Sequence, residues 1–157
     1  MKRAAADEVP LLAASAPVPD LSGVDQGGRV QKLKDHVGKP ILVYFYPKDG
    51  TPGCTKEACA FRDVWDRFEQ KQVYLVGVSH DERDSHERFA REQRIPFPLI
   101  ADTDSGWAKS FGVPSREGRY SRVSFLFDRS GHLARVYPAV DPGVHADAVL
   151  RDINALP

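Results

Sequence analysis

Two cysteines, Cys54 and Cys59, share the segment Tyr46-Pro-Lys-Asp-Gly-Thr-Pro-Gly-Cys-Thr-Lys-Glu-Ala-Cys59, and the chain has no others. Ahead of them the apolar run Pro40-Ile-Leu-Val-Tyr-Phe45 reads as a buried strand, and behind them Thr55 to Lys71 reads as a helix. A strand, a Pro/Gly-rich elbow and a thiol at the mouth of a helix are the ingredients of an activated cysteine nucleophile. A helix N-terminus offers free backbone N–H groups and a partial positive charge, and both favour thiolate over thiol. Cys59 is placed to trap whatever Cys54 becomes.

Blander readings of the pair compete. Cysteine is among the most buried residue types, so two plain core thiols are one alternative. A static structural disulfide is a second, strained by the helical spacing. A metal site with His80 and His86 is a third, although Cys-x4-Cys lies at the loose end of zinc spacing and the histidines form no compact partner motif. Gly50-Thr-Pro-Gly-Cys-Thr-Lys56 superficially suggests a phosphate loop but lacks the required Gly-Lys-Ser/Thr ending.

The rest of the chain must position these thiols. Its 157 residues suffice for one domain with a proper core. Lys and Arg number 22 and so do Asp and Glu, which removes any long-range field toward nucleic acid or an anionic membrane. No apolar run approaches the roughly 20 residues of a membrane span. Around Gly27-Gly28 a short hairpin is expected, then a core strand at Ile41–Tyr46. Ala58, Phe61, Trp65 and Phe68 make the following helix amphipathic. Val73–Ser79 reads as a second buried strand, and Asp84–Arg94 as a helix capped by Asp84 or Ser85. Phe97–Ala101 is a short strand and Ser105–Phe111 a short helix ended by Gly112. Arg122–Asp128 and Leu133–Tyr137 flank a turn as a hairpin, and His145–Leu156 closes the chain as a helix. This order predicts an α/β fold of thioredoxin-like plan, a central mixed β-sheet with helices on both faces. Residues 16–157 form the single domain. Residues 1–15 read as a flexible cytoplasmic arm, with a processed signal remnant and a periplasmic location as the alternative.

The segment Tyr44 to Arg62 resembles the active-site region of the peroxiredoxins, and most closely their bacterioferritin comigratory protein branch, or Q type. The family pattern of Pro, three residues, Thr or Ser, two residues, Cys is met by Pro47, Thr51 and Cys54, and the branch's second cysteine by Cys59. Val76-Gly-Val-Ser-His-Asp81 and Arg122-Val-Ser-Phe-Leu-Phe-Asp128 are further echoes. One departure is the connection from Gly112 to Arg122, shorter than is usual in the branch, which bears on pocket shape and partner contacts.

The resemblance implies a thiol peroxidase. Cys54 would attack a peroxide oxygen and become a sulfenic acid, because only the thiolate is nucleophilic. Arg122 would supply a guanidinium to the thiolate and the leaving oxygen, with Glu57 as possible support. Thr51 would exchange hydrogen bonds with the thiolate and the peroxide. Pro47, Pro52 and Gly53 would shape the substrate pocket, Pro52 by fixing the elbow and keeping water out, Gly53 by letting its N–H approach the peroxide. Cys59 would then resolve the sulfenic acid as an intramolecular disulfide. Residues five apart on an ideal helix lie about 8.5 Å apart at Cα, whereas a disulfide tolerates at most about 7 Å. The first turns, about Cys54 to Ala60, must therefore unwind on oxidation. The expected partners are a hydroperoxide and a dithiol reductant such as thioredoxin, acting on a monomer. No metal, flavin or haem is implied, since sulfur carries the redox change. The competing class is a thioredoxin-like disulfide exchanger, against which Cys-x4-Cys in place of Cys-x2-Cys argues.

Overall fold

The structure, a computed structural model, describes residues 10–157. Residues 1–9, where the choice between cytoplasmic arm and signal remnant falls, lie outside the described residues. Among the described residues no helix is long and apolar enough to cross a membrane.

A two-stranded hairpin, β1 (Ser22–Val24) and β2 (Val30–Lys32), leads in, with its turn at Gly28 in the left-handed region (φ 81°) as the Gly-Gly pair predicts. The core sheet has five strands in the order β5-β4-β3-β8-β9. β3 (Ile41–Phe45), β4 (Tyr74–Ser79) and β5 (Leu99–Ala101) run parallel; β8 (Val123–Phe127) and β9 (Leu133–Tyr137) are antiparallel to their neighbours. The helices are α1 (Pro52–Asp63), α2 (Trp65–Gln70), α3 (Arg83–Gln93), α4 (Gly106–Phe111) and α5 (His145–Asn154).

Every residue of β3 is buried, because successive side chains feed opposite faces and both faces are covered. Leu42 and Tyr44 join Phe61, Phe68, Phe89 and Val149 under α1, α2, α3 and α5. Ile41, Val43 and Phe45 join Trp107, Phe111 and Phe125 on the other face, where α4 is the covering helix. The sheet is thus a mixed, thioredoxin-like one with helices on both faces.

Four local features depart from the sequence expectations or go beyond them. The helix expected as continuous to Lys71 breaks at Val64 (φ −117°, ψ 21°), although Phe61, Trp65 and Phe68 keep a helical period across the break. The third helix begins after Glu82 and has no side-chain cap; the Ser85 hydroxyl bonds elsewhere. The short Gly112–Arg122 connection is a hairpin, β6 (Ser115–Arg116) and β7 (Arg119–Tyr120), turned at Glu117-Gly118. The part of the expected free arm that is described is docked: Leu12 N–H donates to Phe111 O at 2.9 Å and Ser15 N–H to Leu133 O at 2.9 Å. Gly112 permits this, since a Cβ there would meet the Pro10 carbonyl at 1.9 Å.

Candidate active site

β3 ends beneath a six-residue loop, Tyr46 to Thr51, that delivers the chain to α1. Thr51 is extended (φ −73°, ψ 153°), and its carbonyl accepts the Thr55 N–H at 2.9 Å, closing the first helical turn. Pro52 occupies the first helical position, where its fixed φ suits the helix and its missing N–H costs nothing. The helix therefore opens three residues before the Thr55 that sequence suggests, and Cys54 sits inside the first turn. The N–H groups of Gly53 and Cys54 belong to that turn and have no acceptor within the helix. Cys54 itself is 1% exposed.

Arg122 reaches the sulfur from the sheet. The antiparallel register pairs Phe45 with Val123, so Arg122 stands where β3 gives way to the loop. One guanidinium nitrogen donates to Cys54 Sγ at 3.4 Å, and the other to Glu57 Oε1 at 2.8 Å. The planar guanidinium reaches the two groups with separate nitrogens in a fixed geometry, where an ammonium is a compact point charge. Burial works against the arginine's charge, but Glu57 and Cys54 more than offset it and the group stays cationic. Glu57 lies one turn along α1 from Cys54 and is fully buried. Burial pushes its carboxyl up to about 7, against the pull of Arg122, and Oε2 has no partner among the described residues. Gly53 is part of the same fit: a Cβ there would stand 3.0 Å from the Arg122 guanidinium.

The remaining expected site residues are distributed around this centre. Thr51 Oγ1 donates to Lys48 O at 3.0 Å, which commits its hydrogen locally and leaves its lone pairs to accept. Pro52 is exposed on the outer side of the turn. Pro47 lines a neighbouring cavity of about 370 Å³ together with Lys48, His80, Asp81, Ser85 and Arg119, and neither Cys54 nor Arg122 reaches its wall. Cys59 is a free, half-buried thiol on the same helix, donating to Gln93 Oε1 at 3.5 Å. The structure thus brings Cys54, Arg122, Glu57 and Gly53 together and holds Cys59 apart.

Sequence reasoning gave three contributors no chemical role at this site, although it placed Tyr44 in or near the pocket wall. Tyr44 is buried with no partner for its hydroxyl among the described residues; burial first, then Glu57 and Cys54, push its pKa well above the usual phenol range, so it stays an O–H donor. The loop before α5 leans on the start of α1, with Pro142 3.8 Å from the place of a Gly53 Cβ. Asp49 and His86 form a buried pair beneath the loop, with Asp49 Oδ2 2.6 Å from Nδ1.

Residues 14–136 match the AhpC/TSA family. The chain is a peroxiredoxin. Among its relatives, the chloroplastic peroxiredoxin Q of Sedum lineare is 39% identical over 141 residues, 88% of this chain and 76% of that protein. A putative peroxiredoxin bcp of Coxiella burnetii is 38% identical over 130 residues, covering 78% and 86% of the two chains. The structure of Xanthomonas campestris bacterioferritin comigratory protein superposes with a TM-score of 0.84 at 32% identity, over 91% of this chain and 98% of that one. These likenesses put the peroxiredoxin on the Q or bacterioferritin comigratory branch, and make it an oxidoreductase that reduces peroxides with a thiol.

Proposed function

We propose that this peroxiredoxin reduces hydrogen peroxide and small organic hydroperoxides through Cys54, resolves the product through Cys59, and is returned to the dithiol by thioredoxin. The observation that carries the reading is the 3.4 Å contact between the Arg122 guanidinium and Cys54 Sγ at the open end of α1. A sulfur anion needs positive charge nearby, and the arginine and the free N–H groups of the first turn supply it.

In the first step the Cys54 thiolate forms an S–O bond as the peroxide O–O bond breaks. The electron pair leaves on the distal oxygen, which takes a proton and departs as water or an alcohol. Arg122 faces the region where that charge develops, and a Thr51 lone pair accepts from the peroxide O–H. In the second step the Cys59 sulfur forms the S–S bond, the S–O bond breaks and water leaves. Thioredoxin then exchanges its dithiol for the disulfide. The inclusion of organic hydroperoxides is supported by the alkyl peroxide reduction of the Xanthomonas campestris relative. An intrachain disulfide requires no second subunit, so a monomer suffices.

The test is peroxide consumption with thioredoxin in two variants. Cys54→Ser abolishes turnover with any reductant. Cys59→Ser still consumes one equivalent of peroxide and accumulates a sulfenic acid that a dimedone probe traps. Equal loss of that first turnover in both variants would overturn the assignment of roles.

A further inference from the structure

The Tyr46–Thr51 loop contains Gly50 in the left-handed region (φ 80°) and an exposed Lys48, yet it must place Thr51 and the first turn of α1 accurately. One residue pins it. The Asp49 carboxylate accepts the Tyr46 hydroxyl at 2.7 Å on Oδ1 and the Ser85 hydroxyl at 2.9 Å on Oδ2. Oδ2 also lies 2.6 Å from His86 Nδ1. The Asp49 backbone N–H donates to Asp81 Oδ2 at 2.9 Å, an oxygen that also takes the Ser79 hydroxyl at 2.6 Å. A single loop residue is thereby tied to the ends of β3 and β4 and to the first turn of α3.

His86 is completely buried, and its Nε2 lies 2.9 Å from Ile100 O. A carbonyl only accepts, so Nε2 is the donor to Ile100 O, and Nδ1 faces the Asp49 carboxylate. Lys48 is the other charged neighbour, 3.7 Å from Asp81 Oδ1. Burying such a pair is costly, and an apolar pair of the same volume commonly does as well or better for stability. What the pair gives that an apolar one would not is a directional fix on the loop. The fix passes to Thr51, whose hydroxyl is held by the carbonyl of Lys48, the residue just before Asp49.

We propose that Asp49 and His86 are positioning residues for peroxide reduction: the pair fixes the loop so that the Thr51 hydroxyl lies where Cys54 meets the hydroperoxide. This rests on Cys54 being the reacting thiol. It predicts a particular split in reactivity. A displaced Thr51 spoils the fit of a peroxide, while Arg122, held by Glu57 from the other side, leaves the sulfur's reactivity toward an unrelated electrophile unchanged.

The experiment measures two rate constants in full-length reduced protein carrying Cys59→Ser, so that Cys54 alone reacts. One is for hydrogen peroxide, the other for iodoacetamide. Asp49→Asn and His86→Gln are expected to lose about tenfold or more toward peroxide while alkylation stays within roughly twofold, since small misplacements cost rates of this size. Tyr46→Phe and Ser85→Ala, which each delete one donor to Asp49 without touching charge, are expected to lose about threefold toward peroxide only. These two decide the matter if the charged-pair variants do not fold. An unchanged peroxide constant in folded variants, or a parallel fall of both constants, overturns the proposal. Peroxide consumption surviving in Cys54→Ser would instead indict the reading of the thiol itself.

Discussion

Cys59 Sγ donates to Gln93 Oε1 at 3.5 Å, on α3, while Cys54, on the same helix, is held by Arg122. Five helical residues turn through about 140° around the axis, so the two sulfurs occupy different sides of α1. Arg62, further along α1, donates to the Gln93 carbonyl at 2.7 Å. The second half of α1 is thus moored to the end of α3, whereas its first turn is held by the loop and by Arg122. Disulfide formation has to give up one of these attachments.

The resulting expectation is that oxidation unwinds about Cys54 to Ala60 while the region around Arg62 keeps its helix. Amide hydrogen exchange of reduced and oxidised protein reads this directly. Gln93→Ala removes the contact on the Cys59 thiol but leaves the backbone acceptor of Arg62 in place. With a hydrogen bond worth about 1 kcal/mol or less, the variant should form its disulfide about threefold faster after one equivalent of peroxide. An oxidised helix protected along its whole length, or a slower disulfide in Gln93→Ala, would contradict the mooring.

Gly53→Ala separates stability from chemistry. Alanine is favoured over glycine in a helix by about 1 kcal/mol, so the substitution should hold or raise the melting temperature. Its Cβ would nevertheless stand 3.0 Å from the Arg122 guanidinium, which must shift by a few tenths of an ångström away from Cys54. The expected outcome is a peroxide rate constant lowered about tenfold in an undiminished fold. A wild-type rate would show that the close approach of Arg122 to the helix end does not matter.

Much of this was legible in the sequence, for a physical reason. Pro47, Thr51, Pro52 and Cys54 act through local backbone geometry, so their spacing alone describes the turn and the open helix end. Arg122 is different: it arrives through the antiparallel register of β3 and β8, and only resemblance to a family could place it. Asp49 and His86 also meet across a long stretch of chain. The traces they left, a carboxylate within the Pro-Lys-Asp-Gly turn and a histidine on the apolar side of α3, are individually ordinary. The hairpin of β6 and β7 carried a Glu-Gly turn signal, but its strands are too short to show a period. The break at Val64 was hidden because the apolar pattern runs straight through it.

Two buried groups, Glu57 in α1 and His145 at the start of α5, should leave opposite marks on stability as pH changes. Burial raises Glu57 from its usual 4.5 to about 7, with Arg122 only partly compensating. The folded protein therefore holds that proton longer than the unfolded chain, and stability present below pH 4.5 is lost as pH rises through about 7. Burial lowers His145 from 6.5 to about 4, Asp152 opposing, while its Nε2 lies 2.9 Å from Ser124 Oγ. There the unfolded chain takes the proton first, and stability present above pH 6.5 is lost as pH falls through about 4. Between roughly pH 4.5 and 6.5 the two slopes nearly cancel. Denaturant melts across this range should accordingly be flat for these groups in the wild-type protein. Glu57→Gln should make stability rise with pH between about 4 and 6.5, and His145→Asn should make it fall between about 4.5 and 7, each by roughly 3 kcal/mol at most. If both variants kept the wild-type profile, neither group would be titrating as its burial dictates.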